Sequence, residues 1–483
     1  MFFQSHFFKL FKYVRLILPR KKIKMLTVEK IGGTSMIAMK EVLNNIILFN
    51  RTKDNLYNRI FVVSAYAGVT NWLLENKKTG EPGIYHQIVE HKEFRNSLRE
   101  ITLKLKELNK NFESLGLNLE VANKFIEQRI NDADNYLQHL SNILASGYVS
   151  DESILQAARE ILASIGEAHS AFNLTNIIQN NNIHATFIDL SGFHDHQSLT
   201  INQRIESAFK GIEFDKTICI VTGYTKGTEG IMREFDRGYS DVTFSKIAVL
   251  IHAEEAIIHK EYHLSSADPL LVGIDHCEPI GFTNYDVADQ LADVGMEAIH
   301  PKASKPLELK GINLRIKNTF QPADPGTLIT KDYICPQKKV EVITGSDKVI
   351  IMDVYDPLMV GSVGADLKIM EILTGYGISY IFKTTSANNI STVIWEKDLN
   401  QEWVHKLEKQ FERITIEKVA IVCIIGTNMD KPGVLANISN SLADNGINIK
   451  SGGFSLRKVN IQLIVAREDY KNTVIALNKN RLI

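Results

Sequence analysis

The run Lys30-Ile31-Gly32-Gly33-Thr34-Ser35 ends a short apolar strand in a lysine, turns the backbone on two glycines, and offers Thr34 or Ser35 to cap a following helix. Backbone N–H groups and a positive helix end would then face a polyphosphate, with the Lys30 ammonium neutralising charge on a transferring phosphoryl group. The GxxxxGK[ST] spacing of a Walker loop is absent. Read alone, a glycine pair after a strand is also a simple turn. The stretch Ser64-Ala65-Tyr66-Ala67-Gly68-Val69-Thr70-Asn71 follows the apolar strand Ile60–Val63. Its small hydroxyl residues stand beyond the carboxyl end of that strand, where open α/β sheets bind ligands; the bland reading is a solvated loop with Asn71 as a cap. Ile165-Gly166-Glu167 follows a helical pattern and supplies one carboxylate, by itself an ordinary surface residue. Arg237-Gly238-Tyr239-Ser240-Asp241 opens another helix after the segment Gly223–Gly230. Arg237 can grip a carboxylate at two points, and Asp241 can orient an amine or a magnesium ion.

The elements that must position these residues alternate. Short apolar runs at Thr27–Ile31, Arg59–Val63, Ala185–Leu190, Thr217–Thr222 and Leu270–Gly273 are separated by helical patterns, which predicts an α/β fold with a mainly parallel sheet. Between about Trp72 and Gly147 the chain is charge-rich, with Leu98, Ile101, Leu103, Leu105 and Leu108 at helical spacing, so a helical insertion is expected there. From 311 to 340 Pro and Gly accumulate, as in a connection between lobes.

The last third is a duplication. KVIIMDVYD at Lys348 matches KVAIVCIIG at Lys418, and Gly364, Ile369, Leu373, Gly377 and Ile378 match Gly433, Ile438, Leu442, Gly446 and Ile447. Each copy reads strand, loop, amphipathic helix, glycine turn, strand, strand, a small α+β unit.

Composition narrows the class. The 483 residues suggest about three domains, and 44% hydrophobic with 23% charged residues exclude disordered, collagenous and disulfide-scaffold chains. Cys219, Cys277, Cys335 and Cys423 form no CxxC pair, which fits free thiols in a reducing cytoplasm. No apolar stretch suggests a membrane span, and the near-neutral charge gives no reason to expect nucleic acid. A small-molecule partner is expected. The 55 Lys and Arg against 56 Asp and Glu average two unlike pieces. Residues 1–24 hold seven basic side chains and no acid, leaving 48 basic against 56 acidic in the remainder, net −8. That extension reads either as a basic amphipathic anchor or as an upstream start, with Met25 the true beginning.

Taken in order, KIGGTSM, SAYAGVTN, SIGEAHS, TGYTKGTEGIMREFDRGYSD, SSADP and GMEAIHP resemble the signature blocks of aspartate kinases, and the duplicated tail resembles a tandem pair of ACT domains. The resemblance runs from Thr27 nearly to the end. It implies the amino-acid kinase fold, over about 25–310 with an insertion at 72–147, then a connection and ACT domains at about 341–405 and 415–483. The implied reaction is ATP-dependent phosphorylation of the aspartate β-carboxylate, with Mg2+ held mainly by the nucleotide.

By the resemblance, Lys30, Gly32 and Gly33 bind the ATP phosphates, Ser64 lies beside the transferring group, and Ser265 and Asp268 complete the nucleotide side. Thr34, Ser35, Thr70, Glu167, Arg237, Ser240 and Asp241 hold aspartate, Glu167 through its ammonium and Arg237 through a carboxylate. Lys30 and Asp241 form the catalytic pair, and no metal ligand set is implied. An ionised carboxylate needs no base, so catalysis is positioning plus charge neutralisation.

The nucleotide half departs from the family pattern. His259-Lys260 stands where most members carry Thr-Asp, Leu270 replaces an Arg, and Glu297 replaces a Lys. Lys260 or Lys302 is a candidate for the missing positive charge. These variants resemble the ectoine-associated branch more than the lysine-pathway enzymes. In the tail, Asn428–Gly433 and Val360–Asp366 are loop-to-helix junctions whose N–H groups could receive an amino acid's carboxylate. Asp430, Gly433, Val434 and Asp366 are therefore the expected regulatory residues, with Lys or Thr as effector and a homodimer or larger assembly through the ACT units; an emptied effector pocket is the competing expectation. A catalytically weak amino-acid sensor and a sibling kinase acting on another carboxylate are the alternatives.

Overall fold

The computed structural model describes residues 25–481 except 53–54, 77–78, 236–237, 294–298, 338–339, 455–456 and 458. The basic extension 1–24, Arg237 and Glu297 therefore lie outside the described residues.

Eight strands form the first sheet: β1 (Thr27–Ile31), β2 (Arg59–Val63), β3 (Ala185–Ile188), β4 (Ile218–Thr222), β5 (Glu255–Lys260), β6 (Phe282–Asn284), β7 (Asn313–Asn318) and β8 (Thr327–Thr330). Their order is β3-β4-β2-β1-β5-β7-β8-β6, and every neighbouring pair is parallel except β7 with β8. β2 and β4 are buried at every position, as apolar runs covered on both faces must be. β1 is the switch point, with β2 on one flank and β5 on the other, so the crevice beyond its carboxyl end is where this topology places a ligand.

In the inserted stretch the helices Arg95–Lys110 and Leu119–Ser146 pack beside each other and the long helix Asp151–Asn180. Leu98, Ile101 and Leu105 are buried, whereas Leu103, off that stripe, is 67% exposed.

Three expectations are corrected. Leu270–Gly273 is not a strand but part of the helix Pro269–Val272, because the Asp268 carboxylate accepts from Leu270 N at 2.8 Å and Pro269 sits at the first helical position. Much of 311–340, read as a connection, is sheet: β7 pairs with β5, and the Pro-rich run only turns the chain back into β8. Glu167, read as following a helix, lies inside Asp151–Asn180.

The duplicated tail forms one antiparallel sheet of β9 (Val342–Tyr355), β10 (Phe382–Thr385), β11 (Asn389–Trp395), β12 (Arg413–Ile425), β13 (Ile449–Phe454) and β14 (Asn460–Ala466), ordered β10-β11-β9-β12-β14-β13. The matched glycines do the same work in each copy. Gly364 and Gly433 precede the helices Ala365–Gly375 and Val434–Asp444 at φ 92 and 87, and Gly377 and Gly446 leave them at φ 68. The tail is fused to the first sheet's periphery: Leu264, Ile280, Val287 and Leu291 pack on Val342, Val349 and Ile421, and Ala267 joins the core around Val422 and Leu477. Ile343 N also donates to Ser266 O at 2.8 Å.

Candidate active site

The functional side chains converge on the carboxyl ends of β1, β2 and β5. Gly33 starts the short helix Gly33–Ile37 directly after β1, and a Cβ there would lie 2.5 Å from Ala65 O. Only glycine lets the turn after β1 touch the loop after β2, an approach closed by Ala67 N donating to Gly33 O at 3.1 Å. Gly166 and Gly223 do likewise from two other elements. A Cβ on Gly166 would stand 2.6 Å from Ala65 Cβ, and one on Gly223 would stand 2.8 Å from both Ser240 Cβ and Val63 O.

Lys30 Nζ lies 2.5 Å from Asp241 Oδ1. The other oxygen of Asp241 accepts from His300 N at 3.3 Å. Burial pushes the Asp241 carboxyl up, but the Lys30 and Lys260 charges more than offset it, so the group stays below the usual carboxylate range. Lys260 ends β5 on the same sheet face as Lys30, since Lys30 pairs in register with Ile258 and side chains alternate. Two cations thus flank one carboxylate at the mouth of the Gly32-Gly33 turn.

Glu167 stands on the β2 and β4 side. It is buried, Tyr239 Oη donates to its Oε1 at 2.8 Å, and its Oε2 has no hydrogen-bond partner. Burial pushes its carboxyl up to about 7. A buried carboxylate oxygen without a donor is costly unless a ligand supplies one, and a primary ammonium would. Ser240 Oγ is 3.3 Å from Ser64 Oγ, and Ser170 Oγ donates to Ser64 O at 2.8 Å, holding the loop after β2 against the Glu167 helix. Thr70 is half-buried in the helix Val69–Leu73, and Thr34 is exposed on the first turn after Gly33.

Other expected residues sit elsewhere. Ser35, read as a substrate ligand, is fully buried, its hydroxyl bonded to Glu261 at 2.9 Å and near Thr319 at 3.1 Å; it braces the turn against the ends of β5 and β7. Ser265 donates to His263 O at 3.2 Å, and Asp268 caps Pro269–Val272; both lie in the segment fastened to the tail. Lys302 Nζ donates to Glu234 O at 2.9 Å and lies over the Phe235 ring, whereas Lys260 faces Asp241. In the tail, Asp366 is paired with Lys383 at 2.8 Å, Val434 is buried, and Asp430 is exposed beside Gly433. Among the described residues no group of three or more His, Cys, Asp or Glu could hold a metal ion.

Tyr239 and His300 escaped sequence reasoning as site residues. Both fall inside quoted blocks, RGYSD and AIHP, but what they touch depends on packing between distant helices.

Residues 25–318 match the amino acid kinase family, and residues 422–480 match an ACT domain. The chain belongs to the amino acid kinase family. It is 42% identical over 461 residues to aspartate kinase Ask_Ect of Stutzerimonas stutzeri (strain A1501), covering 94% of this chain and 97% of that protein. It is 25% identical over 503 residues to the chloroplastic aspartokinase 1 of Arabidopsis thaliana, covering 97% and 84%. Within the family, then, it is placed among the aspartate kinases. The fold is shared with aspartate kinase of Clostridium acetobutylicum (TM-score 0.71, 22% identity, 94% of this chain and 100% of that one). It is shared also with E. coli aspartokinase III in complex with aspartate and ADP (TM-score 0.70, 20% identity, 94% and 99%).

Proposed function

We propose that this chain transfers the γ-phosphoryl group of ATP to the β-carboxylate of L-aspartate. A carboxylate oxygen forms a bond to the γ-phosphorus, the bond to the ADP oxygen breaks, and 4-phospho-L-aspartate and ADP leave. The observation that carries this reading is the pairing of opposite receptors across β1: a buried carboxylate oxygen without a donor at Glu167, and two cations, Lys30 and Lys260, around Asp241.

An amino-dicarboxylate brings one cation and two anions, and ATP brings more anions still. Glu167 receives the ammonium, held in place by Tyr239. Arg237 grips a carboxylate, with Ser64, Thr70 and Ser240 lining the acceptor. The N–H groups of Gly32 and Gly33, with Lys30 and Lys260, take the phosphates, and Thr34 stands at the rim. Asp241 holds the Lys30 ammonium until phosphate replaces it. Magnesium, carried by the nucleotide, supplies further charge neutralisation when bound; the described residues offer Asp241 rather than a dedicated cage. No side chain needs to remove a proton, so the enzyme's contribution is orientation and electrostatics.

The ACT units support regulation and assembly. Leu358, Val360, Val363 and Leu367 are 80, 62, 99 and 62% exposed around the loop leading into Ala365–Gly375, an apolar patch suited to a second copy. We read the chain as a homodimer through this patch, with Lys or Thr received at the loops ending in Asp366 and Gly433. E. coli aspartokinase III has been crystallised with lysine and aspartate. Similarity to Ask_Ect supports the ectoine-associated branch, and four free cysteines support a reducing, cytoplasmic setting.

Hydroxylamine trapping tests the reaction. ATP and L-aspartate should yield a hydroxamate with ADP release, L-glutamate should not, and absence of the hydroxamate with aspartate removes the proposal.

A further inference from the structure

Three neighbouring strands carry a buried charged group beneath the site. Thr27 and Glu29 of β1, Arg59 of β2 and His259 of β5 share the sheet face opposite Lys30, as the parallel registers Thr27 with Arg59 and Ile31 with His259 require. Glu29, Arg59 and His259 are 1, 3 and 5% exposed. Glu29 Oε1 accepts from Arg59 Nε at 2.6 Å and from Thr27 Oγ1 at 3.0 Å. Its Oε2 accepts from Arg59 Nη2 at 3.0 Å and meets His259 Nε2 at 2.8 Å. Arg59 also donates to the carbonyls of Ile46 and Ile47, at 2.8 and 3.0 Å, at the end of the π-helical turn Val42–Ile47.

Burial lowers the His259 imidazole's affinity for a proton below its ordinary value, so the ring is neutral and donates its Nε2–H to Glu29. A buried ion pair adds little net stability over apolar residues of the same volume. What it does add is fixed length and direction between the strands it joins. The residue after Glu29 is Lys30, and the residue after His259 is Lys260. A slip of either strand by one position would exchange the faces of anion and cation.

We infer that Glu29, Arg59 and His259 form a positioning triad that sets the heights of Lys30 and Lys260 over the nucleotide phosphates. The inference rests on the reading of those lysines as phosphate ligands. None of the three touches substrate; they act through the strands.

Comparing His259→Gln with His259→Asn in the full chain tests it, because glutamine places an amide near the Nε2 position and asparagine falls short of Glu29. With hydroxamate formation as readout, His259→Asn should lose about tenfold in kcat/KM for ATP with KM for aspartate within about twofold, and His259→Gln should recover to within about threefold of wild type. Wild-type ATP kinetics in His259→Asn, equal impairment of the two variants, or a loss confined to the aspartate KM overturns the triad. So does failure of either variant to fold, since the role would then be stability. A wild-type chain that makes no hydroxamate instead overturns the kinase reading itself.

Discussion

Lys30 Nζ and Asp241 Oδ1 lie 2.5 Å apart, the lysine near the end of β1 and the aspartate in the first turn of Tyr239–Leu250. The pair joins the Gly32-Gly33 turn to the helix that also carries Tyr239 and Ser240, so one contact links the two halves of the proposed site. Replacing Lys30 by Ala should lower kcat by about 10²- to 10³-fold, the scale of a lost charge stabiliser in the transition state. Asp241→Asn should change kcat less than Lys30→Ala does. Single-turnover hydroxamate formation measures both.

Lys260 and Lys302 separate in the folded chain, one acting on Asp241 and the other tied to Glu234 O. Lys260→Ala should raise KM for ATP by about tenfold, and Lys302→Ala should leave it within about twofold. Initial rates at saturating aspartate decide this.

As the proposed ammonium receptor, Glu167 should make activity pH-dependent. Only its ionised form attracts an ammonium, and its carboxyl is raised from 4.5 to about 7 in the free protein. The ratio kcat/KM for aspartate should therefore fall about tenfold per pH unit below about 7. Glu167→Gln should abolish that limb at a much lower rate. Stability runs the opposite way. A raised folded-state value means the group's contribution is intact below the unfolded value and is lost as pH rises from about 4.5 towards 7. Thermal melts across that range should show a fall in wild type that is absent in Glu167→Gln.

Gly33→Ala and Gly223→Ala each drive a methyl into backbone, at 2.5 Å from Ala65 O and 2.8 Å from Val63 O. Each should cost about 1–3 kcal/mol of stability in denaturant titrations, the range for overpacking a tight contact. Gly375→Ala, where a Cβ meets nothing within 4 Å, should be neutral or slightly stabilising.

The exposed patch predicts an assembly change. Val363→Asp with Leu358→Asp should shift the sedimentation coefficient from dimer to monomer. Unchanged sedimentation would place the interface elsewhere.

Much of the site was legible before folding was considered because glycines and charged residues leave a local signal. Gly33 beside Lys30 and Gly364 matching Gly433 announce turns that no other residue makes as easily. Leu270–Gly273 misled because an apolar run carries no length or capping information, and the Asp268 cap with Pro269 outweighed it. β7 was hidden in a Pro-rich region because its pairing with β5 is contributed by residues more than fifty positions away. Ser35, which the resemblance placed on the substrate, is buried instead, and Thr319 could reach its hydroxyl only once β7 lay beside β5.

The alternation of apolar runs with helical patterns and the duplication made the fold class legible from sequence alone, since each is a local pattern in a fixed succession; the reaction was legible only through the resemblance of the ordered blocks to aspartate kinases. Which side chains meet was decided only in three dimensions. Tyr239 on Glu167, His300 on Asp241 and His259 on Glu29 join residues 72, 59 and 230 positions apart. Their spacing depends on how the sheet twists and helices seat, a property of the whole packed core rather than of any segment.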